Sequence, residues 1–269
     1  MPIVHNTLKY TWLKLAPFVY FIISFIFLLI LWKLFSWKSD GDIPGPNAGF
    51  LAFKELFIDM SPMYEDPNEP NNKGILIMML SSLIRVFKGF LMGSLIAIPL
   101  GFIMGSSKIW NNILNPIVQI LRPVSPLTWL PLGMIALKSA EGATIFMIFI
   151  TSLWPTLINT AQGVAALPND HKNVAKAFGF SKFKYITKIV IPFALPYIIT
   201  GLRLSIGVAW MVIVAGEMLT GGIGIGSFAW ESYNGGALEK VILAIFLTGL
   251  MGLLLDKIFN YLQKKYSFA

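Results

Sequence analysis

A chain of 269 residues that is 56% hydrophobic and only 13% charged has too little polar surface to stay dissolved as a monomer; ordinary soluble domains are about 25% charged. The absence of cysteine excludes disulfides and thiolate metal sites, and the two distant histidines, His5 and His171, speak against a zinc enzyme. A formal net charge of +8 does not require nucleic acid, because lysine and arginine gathered on the cytoplasmic loops of a membrane protein give the same balance.

The apolar residues collect into runs of about 20, the length that crosses about 30 Å of hydrocarbon as a helix. The first predicted span covers residues 15–35, with Trp12, Trp32 and Trp37 as interfacial anchors. It is too long for a signal-peptide core and lacks a small-residue cleavage site, so it reads as a retained helix. An acidic, proline-rich stretch follows over 38–73, and its middle, 49–60, has the pattern of a short amphipathic helix at the membrane surface. Residues 1–73 thus form a tail, one span and an outer loop, and 74–265 form the main transmembrane domain.

Between 74 and 104 the apolar pattern is interrupted by Arg85 and Lys88. We expect an amphipathic helix to about Phe87 and a second span over 88–105, the two cations snorkelling to an interface. The third span, 113–137, is broken by Pro116, Pro123, Pro126 and Pro131; the fourth covers 143–161. The fifth, 189–218, contains Pro192 and Pro196, and the sixth covers 238–261. The fold class is all-α, a polytopic membrane protein with six transmembrane helices. Lys9 and Lys14, Lys108, the lysines at 172, 176, 182, 184 and 188, and Lys257, Lys264 and Lys265 then fall on one side, opposite the acidic loop. Positive loops are cytoplasmic, so both termini are expected inside a plasma (inner) membrane.

The basic loop at about 167–192, LPNDHKNVAKAFGFSKFKYITKIVIP, has structure of its own. Pro168 suits a first helical position, and Asn169 and Asp170 suit the positive end of a helix dipole. Val174, Ala177 and Phe178 recur at helical spacing before Gly179 ends the helix. Ser181 caps a second helix that runs through Ile189 toward a kink at Pro192. The prediction is a helix–turn–helix bracket projecting from the membrane. Lys182 and Lys184 in the first turn of the second helix are unfavourable by about 0.3–1 kcal/mol each. Either an acidic partner surface relieves that conflict, or the lysines only set topology and face solvent.

Charges inside spans are costly, at least about 2.5–3.5 kcal/mol on insertion scales. Arg122 and Arg203 either line the route of an anionic solute, which guanidinium suits, or bind carbonyls freed at proline kinks or pair with Glu217. The run containing Gly222, Gly224 and Gly226 reads as flexible backbone at an outer mouth or as an ordinary surface turn. No strand precedes it, so a dinucleotide site is not expected. No G-x-x-x-x-G-K-[ST] loop exists, so the chain cannot cradle ATP in the P-loop manner.

The bracket resembles the EAA loop of binding-protein-dependent ABC importer permeases, in which Glu-Ala-Ala, three residues, Gly, nine residues and Ile-x-Leu-Pro follow one another. Ala175, Gly179, Ile189 and Pro192 fall on that pattern, while Asn173, Val174 and Ile191 stand where Glu, Ala and Leu are usual. The segments LRPVSPLTWLPLGMIAL, FITSLWPTLINTAQGV and PYIITGLRLSIGVAWMVIVAGEML extend the resemblance over most of the chain. The continuation GGIGIGSFAWESYN is similar to the nitrate/nitrite, cyanate and bicarbonate branch of the wider taurine, alkanesulfonate and nitrate permease family.

The resemblance implies a type I (MetI-like) importer fold and a pathway for a small inorganic anion. It implies a homodimer of permeases, two cytoplasmic ABC ATPases and a periplasmic or lipid-anchored solute-binding protein. Asn173, Val174, Ala175, Phe178, Gly179, Ile189 and Pro192 would make the ATPase-coupling loop, and Arg203, Arg122 and Glu217 are the candidates for the anion pathway. The chain would need no cofactor of its own, ATP and magnesium being bound by the partners, and it would not be an enzyme. An alkanesulfonate or taurine importer, a secondary ion-coupled transporter and a membrane enzyme are the alternatives. The second would usually show an intramembrane carboxylate relay and the third a clustered acid/base or metal set.

Overall fold

A computed structural model of the chain describes residues 2–39, 42–59, 61, 63, 65 and 73–266. Helices and their connecting turns make up the fold, with no strand among the described residues. The first predicted span lies within α1 (Pro2–Lys38). The side chains of most of its first 21 residues, Trp12, Lys9 and Lys14 included, lie outside the described residues. The indole N–H of Trp32 donates to the Pro44 carbonyl at 2.8 Å and turns the chain back on itself. α2 (Pro46–Lys54) begins with proline in its first turn and continues as a π-helical turn to Asp59. A short helix is thus present where one was expected, and it is docked: Ala52 and Leu56 join the main core, and Lys240 pairs with Glu55 at 2.8 Å.

α3 (Ile75–Ser106) is one uninterrupted helix of 32 residues, about 48 Å long. The expected break at Phe87 is absent. Arg85 does not reach for an interface; it meets Glu217 inside the protein, and Lys88 pairs with Glu141 at 3.4 Å. A cation with an internal partner does not oblige the helix to end. α3 packs most extensively on α6, through small residues at every fourth position: Gly89, Gly93, Ala97, Gly101 and Gly105. A Cβ on Gly93 would stand 2.5 Å from Ser152 Oγ and 2.8 Å from the Phe149 carbonyl oxygen. Close backbone approach through such a stripe is the usual way helices associate where lipid removes the hydrophobic driving force.

The predicted third span begins earlier than 113 and is not straight. α4 (Lys108–Leu121) and the segment of α5 (Trp129–Leu137, preceded by the 3-10 turn Pro126–Thr128) meet at 90°. The break falls at 122–125, between Arg122 and Pro126, while Pro116 is carried inside α4. α6 (Ala140–Ala165) starts at Ser139, whose hydroxyl accepts from the Gly142 N–H at 3.1 Å. α7 (Asn169–Ala177) and α8 (Lys182–Tyr185) form the predicted bracket. A π-helical turn, Ile186–Val190, leads into α9 (Ile191–Thr220). The Ile191 N–H reaches back to the Ile186 carbonyl, which shifts the ladder just before Pro192, where an N–H is missing. The chain therefore runs continuously from Lys182 to Thr220, without a sharp kink at Pro192. α10 (Ile225–Asn234) and α11 (Leu238–Tyr266) complete the fold.

α6 sits between α3 and α9. Its contact with α9 includes a buried polar set: Thr156 Oγ1 lies 2.8 Å from Ser205 Oγ, which donates to the Ser152 carbonyl at 2.5 Å. Such bonds are satisfied within the bundle because hydrocarbon offers no alternative. Side chains such as Leu95, Ile120 and Met211 instead point outward. Among the described residues four helical segments are long and apolar enough to span a membrane, or five if α4 and α5 make one bent span.

Candidate functional site

Four places hold the residues singled out from sequence, and the structure does not bring the three pathway candidates together. The first is centred on Glu217, near the end of α9. Its carboxylate is 1% exposed, with Ser82 Oγ 2.8 Å from both oxygens and Arg85 Nη1 2.7 Å from Oε1. Gly226 N–H donates to Oε2 at 3.0 Å. Arg85 also donates to the Ile223 carbonyl at 2.6 Å, the Ile225 N–H donates to Ser82 Oγ at 3.0 Å, and Ser227 Oγ donates to the Glu217 carbonyl at 3.1 Å.

These bonds tie the glycine run to α3 and to the end of α9. Gly221 and Gly222 take φ of 70° and 89°, so the chain reverses where a side chain would be strained. A Cβ on Gly224 would collide with the Glu217 carboxylate, and one on Gly226 with the Val214 carbonyl. α10 is held against α9, α11 and α3, with Ile225, Gly226, Ser227, Ala229 and Ser232 buried.

The second place surrounds Arg203, at mid-length in α9. Its guanidinium is clamped by Asp256 of α11 (Nε to Oδ1 2.7 Å, Nη2 to Oδ2 2.9 Å) and also donates to Asn260 Oδ1 at 3.2 Å and Gln263 Oε1 at 3.0 Å. Gln263 in turn donates to Thr200 Oγ1 at 2.9 Å. The carboxylate facing Arg203 is thus Asp256 and not Glu217, whose cation is Arg85.

The third is Arg122, at the bend after α4. Its guanidinium has no hydrogen bond or carboxylate partner among the described residues, while its backbone N–H donates to the Val118 carbonyl at 2.9 Å, and it lines a cleft of about 940 Å³ between α4 and α6. The polar neighbours there, Lys108, Asn111, Asn115 and Gln119 of α4 and Gln162 of α6, carried a signal that sequence reading passed over. At 100° per residue, residues 108, 111, 115, 119 and 122 fall within a sector of about 80°, opposite Ile109, Ile113, Ile117 and Ile120.

The fourth is the bracket. α7 closes with a Schellman pair, Phe180 N–H to the Ala175 carbonyl at 2.9 Å and Gly179 N–H to the Lys176 carbonyl at 3.0 Å, around Gly179 at φ +65°. Ser181 Oγ accepts from the Lys184 N–H at 3.3 Å, the expected cap. Lys184 Nζ lies 4.3 Å from the Phe180 ring centre, a contact that offsets part of its unfavourable position. Ala175 is buried, but Val174, Phe178 and Phe183 are 52, 75 and 77% exposed. Asn173 is exposed; Ile189 and Pro192 sit at the joint to α9. Beneath the bracket a second cleft, of about 670 Å³, reaches Gly105 and Ser106 at the end of α3. The lysine of the α3–α4 turn and those of the bracket are therefore at the same end of the molecule, as the charge pattern requires.

The described helices make a bundle long and apolar enough to span a membrane, with a basic hairpin projecting at one end. A sequence profile described as "Binding-protein-dependent transport system inner membrane component" matches residues 97–268, and the chain belongs to that family. It is 40% identical over 264 residues to the bicarbonate transport system permease protein CmpB of Synechocystis sp., covering 96% of this chain and 92% of that one. It is 41% identical over 243 residues to the nitrate import permease protein NrtB of Leptolyngbya laminosa, covering 90% and 85%. Among solved structures, a bacterial alginate ABC transporter in complex with a periplasmic protein matches with a TM-score of 0.62 at 14% identity, covering 94% of this chain and 97% of that one. The MetNI methionine ABC transporter matches with a TM-score of 0.62 at 14% identity, covering 72% and 96%. These two likenesses bear out the type I importer fold.

Proposed function

We propose that this chain is the membrane-spanning permease of an ATP-driven importer for a small trigonal oxyanion, nitrate or hydrogen carbonate. The observation that carries the transport mechanism is the bracket: a lysine-rich helical hairpin that leaves Val174, Phe178 and Phe183 uncovered around a turn only glycine adopts easily. Apolar side chains standing out of a charged surface mark a docking site. The partner is a cytoplasmic ATPase that supplies the nucleotide site this chain lacks; ATP and magnesium are bound there. Two copies of the chain form the pathway, an outer binding protein delivers the solute, and both termini are cytoplasmic. Closure of the two ATPases pushes on α7 and α8, and the unbroken helix from Lys182 to Thr220 carries the movement to Glu217 and α10.

The identities of about 40% to nitrate and bicarbonate permeases support the solute class. Arg122, whose donors are open, is the pathway residue among the three candidates; Arg203 and Glu217 hold helices together. Gly179→Val tests the coupling. No heavy atom lies within 4 Å of where its Cβ would go, so the change acts through the backbone at φ +65°. A β-branched residue there costs about 1–3 kcal/mol. The expected result is a chain that inserts and assembles yet loses anion uptake and stimulated ATP hydrolysis. Unaltered uptake would remove the coupling role.

A further inference from the structure

The cleft between α4 and α6 has the composition of an anion site. Of the chain's three arginines, Arg85 and Arg203 are each locked to a carboxylate, and Arg122 is not. The lining carries two cations, Lys108 and Arg122, and no acidic residue. Its carboxamides, Asn111, Asn115, Gln119 and Gln162, have no side-chain hydrogen bond among the described residues. A polar ladder of this kind would be costly against lipid, and here it faces a cavity while the isoleucine face of α4 points away.

The cleft also lies at the bracket end, sharing Gly105 and Ala165 with the space beneath the hairpin. We propose that this cleft holds the small oxyanion at the bracket end of the pathway, Arg122 and Lys108 supplying charge and the carboxamide N–H groups supplying directed donors. The inference rests on the transport function given above.

The absence of native cysteine allows a clean test in membranes containing the assembled transporter. Asn115→Cys places a thiol in the cleft, and Ile117→Cys places one on the opposite face of α4. Each is titrated with an anionic and a cationic methanethiosulfonate of similar size, with and without sodium nitrate or sodium bicarbonate. We expect Asn115→Cys to favour the anionic reagent, the preference falling about tenfold when Arg122→Gln is added, and to be protected by at least one of the two salts. Ile117→Cys should show neither effect.

A charge preference unchanged by Arg122→Gln, or protection by neither salt, overturns the proposal. Uptake of labelled nitrate and labelled bicarbonate by ATP-loaded vesicles of the unmodified complex is measured alongside. Uptake of neither, with the cysteine results as expected, would keep the anion site and overturn import as its purpose.

Discussion

Glu217 is one of only 13 acidic residues in the chain, and its carboxylate joins α9 to Ser82 and Arg85 of α3 and to the Gly226 N–H beyond the turn. Removing Arg85 would leave a buried carboxylate with one hydroxyl and one amide, a loss of about 3–5 kcal/mol when a buried pair is broken on one side. Arg85→Met should therefore lower the thermal unfolding midpoint of the purified protein sharply. Adding Glu217→Gln should recover part of the loss, which a double-mutant cycle reads directly. Gly224 is constrained differently: its backbone is extended, so only crowding against the Glu217 carboxylate forbids a side chain. Gly224→Ala should cost about 1–3 kcal/mol as overpacking. Gly207→Ala, where no heavy atom lies within 4 Å of the added Cβ, should be neutral or stabilising in the same unfolding measurement.

At the scale of elements, the α3–α6 contact is a stripe of small residues set against carbonyls and short side chains. Gly101 faces Thr160 and the Leu157 carbonyl as closely as Gly93 faces Ser152. Gly101→Leu should push the two helices apart and abolish recovery of monodisperse protein in detergent, whereas Leu95→Ala on the exposed face should not. Arg203 and Asp256 tie α9 to α11 in a comparable way, through charge instead of shape. If this pair is a brace, Arg203→Gln should reduce assembled transporter in the membrane more than it reduces turnover per assembled complex. The π-helical turn before Pro192 joins α8 to α9 in one helical run from Lys182 to Thr220, the connection that the proposed coupling requires.

At the scale of the whole molecule, the bracket, the α3–α4 turn and the open cleft share one end, and the glycine turn with α10 follows α9 at its far end. The orientation makes a simple expectation. In sealed right-side-out vesicles a membrane-impermeant thiol reagent should reach Gly235→Cys and miss Phe178→Cys, and inverted vesicles should reverse the result. Labelling of both from one side would contradict the arrangement of spans and the transport mechanism with it.

Sequence alone determined the membrane setting, the helical class, the bracket with its Gly179 turn and Ser181 cap, and the family resemblance. These depend on local periodicity, caps and positive-φ glycine, which a single stretch of chain expresses. It did not reveal which carboxylate faces which cation. Arg85 with Glu217 and Arg203 with Asp256 are separated by 132 and 53 residues, and no local pattern encodes such pairings. Nor did it reveal that α3 runs unbroken, because a charge reads as a helix boundary until its partner is known. Only tertiary structure decided that the glycine run is a turn bonded to a buried acid, and that the guanidinium of Arg122, alone of the three arginines, has no carboxylate partner among the described residues. Whether a charged group is spent on holding helices together or is free to meet a solute is fixed by what the fold places within about 3 Å of it.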